Sequence, residues 1–158
     1  MTTDRVQATR RIAAPASALF RIVSSPQGHV DIDGSGMLVA APDAAPLTAV
    51  GETFDIDMNR DSLGDIPDLH DYKVRNTVTQ IVPDRLFEWG VGSEDKAPFG
   101  HVYGWQLDPV SDDETDVTNY CDWSGIPDEF RSRRAWPVVP LAMLERSVEN
   151  LQRLATDS

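Results

Sequence analysis

The sequence has one cysteine, Cys121, and few basic residues. A single cysteine cannot crosslink its own chain, so packing and hydrogen bonds must stabilise the fold. Lysine and arginine number 14 against 26 aspartates and glutamates, which gives a formal net charge of −12. Because a surface this acidic repels phosphate backbones and anionic lipid, we expect no nucleic-acid partner.

Long hydrophobic runs are also lacking. No segment approaches the ~20 apolar residues that a membrane-spanning helix needs, and the first residues, MTTDRVQATRR, contain no apolar core of a signal peptide. We therefore expect a cytoplasmic protein without a membrane span. The length of 158 residues and the hydrophobic fraction of 41% are typical of one folded domain, which we expect to comprise residues 1–158.

The sequence also lacks the signatures of several enzyme classes. It contains no Gly-x-Ser-x-Gly motif and no glycine-rich phosphate loop. His29, Asp31 and Asp33 alternate, and NRDSLGDIPDLHD is acidic, but neither segment matches a calcium loop or a zinc spacing. We therefore predict no metal and no cofactor. Cys121 has no histidine near it in the sequence, so we expect it to pack as a small apolar residue.

Alternating apolar and polar residues fill the middle of the chain. The pattern recurs in GETFDIDMN, DYKVRNTVTQIV, DRLFEWGVG, HVYGWQLDP and TDVTNYCDW, and RVQATRRI and GMLVAAP bring the predicted strands to about seven. The short, turn-forming connectors between most of them are typical of antiparallel hairpins. This alternation predicts a sheet with one buried face and one solvated face.

Helical patterns flank these strands. PASALFRIVSS predicts a short helix, and SPQGHVDIDGSG predicts one or two helical turns followed by a loop. LAMLERSVENLQRLA places Leu144, Val148 and Leu151 on one side of a strongly amphipathic helix. Since the sheet must bury its apolar face, the predicted fold class is α+β, with a curved antiparallel sheet wrapping a long C-terminal helix.

This order of elements resembles the START-like, Bet v 1-like helix-grip superfamily (SRPBCC), and within it the polyketide cyclase/dehydratase-type proteins. The resemblance covers nearly the whole chain and is carried by RRIAAPASALFRIVSSPQGHVDIDGSG, HVYGWQLDP, NYCDWSGIP and LERSVENLQRLA. It implies a cavity between sheet and final helix that binds a hydrophobic, polyketide- or lipid-like small molecule. It leaves open a cyclase or dehydratase activity, a non-catalytic carrier or sensor, and a protein-interaction module with a collapsed cavity.

The strand HVYGWQLDP places aromatic residues on the predicted inward face. His101 and Tyr103 are the candidates for proton transfer, and His101 is expected near the cavity rim because it follows a glycine-containing loop. Ordinary core packing is the alternative for this face. Buried Tyr103 and Asn119 each need a hydrogen-bond partner, which a ligand can supply. The full set of predicted ligand-binding residues is Met58, Trp89, Tyr103, Trp105, Asn119, Leu144, Ser147 and Val148.

Three further features have alternative interpretations. Ser147 lies at the edge of the apolar helix face, where its hydroxyl either bonds the carbonyl one turn earlier or faces the cavity. His29 is interpreted as a solvated loop histidine rather than a ligand contact. Arg131, Arg133 and Arg134 form salt bridges to acidic loops, a lid that captures a carboxylate or phosphate, or a contact surface for a protein partner. The sequence leaves the oligomeric state open, including a homodimer.

Overall fold

The computed structural model describes residues 4–42, 45–132 and 136–156. Its elements follow the predicted order of a strand, two short helices, six strands and a long final helix, with one short helix, α3, added before the last. In chain order they are β1 (Arg5–Ile12), α1 (Ala16–Val23), α2 (Pro26–Ile32), β2 (Leu38–Ala40), β3 (Thr53–Asn59), β4 (Asp71–Val82), β5 (Leu86–Gly92), β6 (Val102–Ser111), β7 (Glu114–Asp122), α3 (Asp128–Arg131) and α4 (Leu141–Thr156).

The strands form one antiparallel sheet in the order β1-β7-β6-β5-β4-β3-β2, which confirms the predicted fold class. Its register brings the predicted inward residues together. Tyr103 on β6 lies opposite Trp89 on β5 and Cys121 on β7. Trp105 lies opposite Asn119. Because side chains alternate between the two faces of a strand, these residues share the inner face of the sheet.

Helix α4 covers one part of that inner face. Leu144, Val148 and Leu151 are 3%, 2% and 0% exposed, which confirms that the apolar stripe of the helix is buried. The helix packs mainly on β1 and β7, and it also contacts α1 and α2. The inner face from β3 to β6 is therefore not filled by α4. Across the described ranges, no helix has both the length and the apolar character required to cross a bilayer.

Helix α2 lies against α4 beside this uncovered area. It begins with Pro26 at the first helical position, and the Ser25 hydroxyl accepts a hydrogen bond from the Gly28 N–H at 3.3 Å. After the helix, the Gly34 N–H donates to the Ser147 hydroxyl at 2.8 Å. A Cβ at Gly34 would lie 2.4 Å from the Met143 carbonyl oxygen, so only glycine permits this close approach. The contact fixes the end of α2 to α4.

The outer face of the sheet buries a polar group of its own. The Glu88 carboxyl, only 8% exposed, accepts hydrogen bonds from the side chains of Thr79 (2.7 Å), Gln80 (3.1 Å) and Tyr120 (2.5 Å). We call these four residues the outer-face cluster. The Tyr120 ring covers Gly104, where a Cβ would lie 2.2 Å from the ring. The missing side chain at Gly104 therefore makes room for Tyr120.

Candidate ligand pocket

A pocket of ≈ 260 Å³ lies between the inner face of β3–β6, helix α2 and the start of α4. This volume lies just below the ~300–1,000 Å³ that is typical of small-molecule sites. Seven of the eight predicted ligand-binding residues line it, as does His101: Met58, Trp89, Tyr103, Trp105, Asn119, Leu144 and Ser147. Val148 is not among the lining residues; it lies in the core one turn along α4, where it is 2% exposed.

Two of the predicted polar contacts are already satisfied within the protein. The Asn119 amide nitrogen donates to the Gly104 carbonyl at 2.9 Å, so this group does not depend on a ligand. The Ser147 hydroxyl accepts from the Gly34 N–H, an interaction that neither sequence interpretation included. Ser147 nevertheless lines the pocket. Its main structural contribution is to join α4 to the segment that follows α2.

His101 lies immediately before β6, lines the pocket and is 7% exposed; its place near the cavity rim stays a prediction. Its ring contacts three aromatic rings, with centroid distances of 4.9 Å to Trp136, 5.7 Å to Tyr103 and 6.3 Å to Phe99. The aromatic neighbours enclose it. The predicted catalytic role of His101 stays a prediction.

Tyr103 lies directly opposite Cys121, its cross-strand neighbour on β7. Burial raises the pKa of Tyr103 well above its ordinary value, and it raises the pKa of Cys121 to about 12. Both groups are therefore neutral at physiological pH. Cys121 is fully buried and belongs to the core, as the sequence predicted, and its protonated thiol is a poor nucleophile.

His29 corrects the interpretation made from sequence. It is a helical residue in α2, not a solvated loop residue, and it is 4% exposed. Its ring packs among Phe54, Phe87 and Trp89, with centroid distances of 5.3, 5.5 and 4.4 Å, and it lines the pocket. A sequence signal was available, since Ser25-Pro26 marks a helix start and His29 then lies one turn before apolar Ile32.

The backbone sets the tautomer of His29. Its Nε2 lies 2.7 Å from the Val23 carbonyl oxygen, and a carbonyl can only accept, so Nε2 carries the proton. Burial lowers the pKa of His29 to about 4, against the smaller opposing effects of the Val23 carbonyl and Asp33. The ring is therefore neutral at physiological pH. Nδ1 is left as a hydrogen-bond acceptor, and it accepts no hydrogen bond from the described residues.

Asn76 is a second pocket residue that was not among the candidates named from the sequence. It is 4% exposed and lies on β4 directly opposite Phe54, whose ring contacts His29. Its Oδ1 is buried and accepts no hydrogen bond within the described residues. Buried side-chain oxygens without a partner are uncommon in folded proteins, so this atom requires an explanation.

The charged side chains of the pocket wall are already paired. Arg60, 4% exposed, donates to both carboxylate oxygens of Asp65 at 2.7 and 2.8 Å and to the Tyr72 hydroxyl at 3.1 Å. Lys73 lies 3.8 Å from an Asp57 oxygen. The carboxylate of Asp33, the third charged group, accepts three hydrogen bonds from Ser35 and Leu38.

The remaining candidates from the sequence lie elsewhere. Arg131 donates to Asp4 at 3.0 Å and to the backbone oxygens of Ile126 and Ser124, which agrees with the salt-bridge interpretation for this residue. Arg133 and Arg134 lie outside the described residues. His70 is exposed and paired with Asp61 at 2.5 Å.

Comparison with known proteins supports the fold and leaves the activity open. No model of a known protein family matches the chain. The uncharacterized protein Rv0088 of Mycobacterium tuberculosis (strain ATCC 25618 / H37Rv) is 32% identical over 119 residues, which are 75% of this chain and 47% of that protein. The chain thus spans about half the length of the curated relatives that it matches.

Solved structures resemble the chain over nearly its whole length. Protein Ms6760 from Mycobacterium smegmatis has a TM-score of 0.68 at 16% identity and covers 98% of this chain and 92% of its own. Truncated norcoclaurine synthase from Thalictrum flavum has a TM-score of 0.61 at 14% identity, with 99% and 96% covered. Together with the seven-stranded sheet and the long final helix, these matches show that the chain shares the helix-grip fold of these solved structures.

Proposed function

We propose that this protein binds a small, largely apolar molecule in the pocket between the inner face of the sheet and α4. The observation that carries the proposal is the ≈ 260 Å³ pocket with Trp89, Tyr103 and Trp105 in its walls. Trp89 and Tyr103 are stacked, with ring centroids 6.0 Å apart and an interplanar angle of 26°. Flat aromatic walls of this kind favour a flat apolar ligand.

The protonation of the pocket supports binding without proton transfer, which is the carrier or sensor alternative. General acids and bases work best when their pKa lies near the working pH. Burial moves the pKa of His29 down to about 4 and that of Tyr103 well above its ordinary value. Both groups are thereby held neutral, one as a weak base and the other as a weak acid. A cyclase or dehydratase activity would have to depend on other groups.

The test is to fill the pocket and measure the loss of binding. N-phenyl-1-naphthylamine, an uncharged apolar fluorophore, should bind the wild-type protein with one-to-one stoichiometry and increased emission. Met58→Trp adds a large side chain to the pocket wall and should abolish binding. Val39→Trp is the matched control because Val39 is 57% exposed on β2 and does not line the pocket.

Two results would contradict the proposal. One is failure of the wild-type protein to bind this fluorophore or other neutral apolar compounds of similar size. The other is equal affinity in Met58→Trp and wild type, because the fluorophore would then occupy another surface. Circular dichroism and thermal unfolding of both variants establish that the added tryptophan has left the fold intact.

A further inference from the structure

The pocket contains two hydrogen-bond acceptors for which the described chain provides no donor. One is Nδ1 of His29, since the Val23 carbonyl holds the proton on Nε2. The other is Oδ1 of Asn76, a residue that is only 4% exposed. Both residues line the pocket, and Phe54 connects them as the cross-strand neighbour of Asn76 and a ring contact of His29.

The charged groups of the wall restrict the ligand in a complementary way. Arg60 is neutralised by the bidentate contact with Asp65, and its third donor group is used by Tyr72. The Asp33 carboxylate is bonded by Ser35 and Leu38. The Arg60 guanidinium is thus already paired and does not need an anionic ligand. The Asp33 carboxylate already accepts hydrogen bonds and does not need a cationic ligand. Burying an unpaired charge is costly, so an uncharged ligand fits best.

From these observations we infer that the preferred ligand is an uncharged aromatic molecule carrying a hydroxyl group, recognised by His29 and Asn76. A hydroxyl brings one proton, which it donates to one of the two acceptors at a time. A ketone, an ether or a carboxylate offers only acceptors and would leave Nδ1 and Oδ1 without a partner. Neither acceptor changes its protonation near neutral pH, so recognition is by hydrogen bonding and not by charge. This inference rests on the proposed function, because it assigns a ligand class to the same pocket.

Three probes with the same ring system test it by calorimetry at pH 7. They are 2-naphthol, which donates a hydrogen bond, 2-methylnaphthalene, which forms none, and 2-naphthoate, which is anionic. We expect 2-naphthol to bind wild type about tenfold more tightly than 2-methylnaphthalene, since leaving a buried acceptor unsatisfied costs roughly that factor or more. We expect 2-naphthoate to bind most weakly.

Two variants test the assigned residues. Because one hydroxyl donates to one acceptor at a time, at least one of Asn76→Leu and His29→Phe should lower the preference for 2-naphthol to about threefold or less, while the affinity for 2-methylnaphthalene stays within about threefold of wild type. A merely structural role would weaken both probes together. His70→Phe is the matched control, because His70 is exposed and does not line the pocket, and it should keep the wild-type preference. Because His29→Phe removes the bond to Val23 and could impair folding, Asn76→Leu provides an independent test.

The outcomes separate the inference from the proposed function. Equal wild-type affinities for 2-naphthol and 2-methylnaphthalene would overturn the inference and leave the apolar pocket standing. The same holds if 2-naphthoate binds most tightly, or if the preference for 2-naphthol survives in both Asn76→Leu and His29→Phe. If none of the three probes binds, the inference and the proposed function are both overturned, because an apolar pocket of this size should bind at least 2-methylnaphthalene.

Discussion

The sheet buries polar side chains on both faces, and the two groups differ in whether their hydrogen bonds are complete. On the outer face, the Glu88 carboxyl accepts three side-chain hydrogen bonds. On the inner face, His29 and Asn76 each retain an acceptor that no described residue satisfies. A buried polar network that is fully satisfied stabilises one structure, whereas an unsatisfied group in a pocket has unused capacity for a ligand. The comparison distinguishes structural from binding polar residues.

The largest expected effect comes from breaking the outer-face cluster at its centre. Glu88→Ala leaves the buried hydroxyl of Tyr120 and the half-buried hydroxyl of Thr79 without their acceptor. We expect a loss of about 3 kcal/mol in the free energy of unfolding, measured by urea denaturation. Glu94→Ala is the control because the Glu94 side chain is 78% exposed, and it should change stability by less than about 0.5 kcal/mol. Equal effects in the two variants would show that the cluster contributes no special stability.

A second substitution tests the packing that holds this cluster in place. Gly104→Ala introduces a Cβ 2.2 Å from the Tyr120 ring, which must move and weaken its bond to Glu88. We expect a loss of about 2–3 kcal/mol, typical of an overpacked site. In a Tyr120→Ala background the same change should cost much less, because the obstructing ring is gone. Additive effects in this double-mutant cycle would contradict the proposed clash.

On the inner face, His29 should make stability depend on pH. Its pKa is 6.5 in the unfolded chain and about 4 in the folded one, so the unfolded state binds the proton first as the pH falls. The stability that the fold keeps while His29 is neutral is complete above pH 6.5, and it is lost as the pH falls from 6.5 to 4. Between pH 8 and pH 5, protonation of His29 in the unfolded chain should lower the free energy of unfolding by about 2 kcal/mol.

Urea unfolding of wild type and His29→Phe at both pH values measures this contribution. The variant lacks the imidazole, so its stability should fall by about 2 kcal/mol less than that of wild type over the same interval. Carboxylates that titrate there affect both proteins alike and cancel in the difference. Identical pH dependence in the two proteins would mean that His29 is protonated as easily in the fold as in the unfolded chain.

The sequence predicted the scaffold better than the contacts that define the site. Alternation in GETFDIDMN and HVYGWQLDP depends on local geometry, and it correctly assigned Phe54, Ile56 and Trp105 to the buried face. The same rule assigned Glu88 to the solvated face, where Tyr120 in fact buries it. Alternation specifies the face of a residue, but coverage of that face depends on side chains from other strands.

The polar end of the pocket could not be predicted from periodicity because it depends on contacts between distant segments. His29 meets Phe54 and Trp89 because α2 is held against α4. Bonds between distant segments support that placement, among them the bond between Gly34 and Ser147, 113 residues apart. No local pattern around SPQGHVDIDGSG specifies this partner. The sequence Ser25-Pro26 predicts where the helix starts, but it does not predict the surface against which the helix packs.

The smallest expected effect on stability is that of Asn76→Leu. A small effect would show that Asn76, unlike Glu88, does not stabilise the fold through hydrogen bonds. The substitution removes a buried acceptor that makes no hydrogen bond and adds apolar surface of similar size. We therefore expect a change in unfolding free energy of less than about 1 kcal/mol, and stabilisation is the favoured direction. Asn119→Leu is the matched comparison, because its amide donates to the Gly104 carbonyl and its loss should cost about 1 kcal/mol or more. Urea denaturation of both variants without ligand gives the two values. If Asn76→Leu proves the more damaging of the two, Asn76 supports the fold like Glu88, and the distinction between the two faces of the sheet fails.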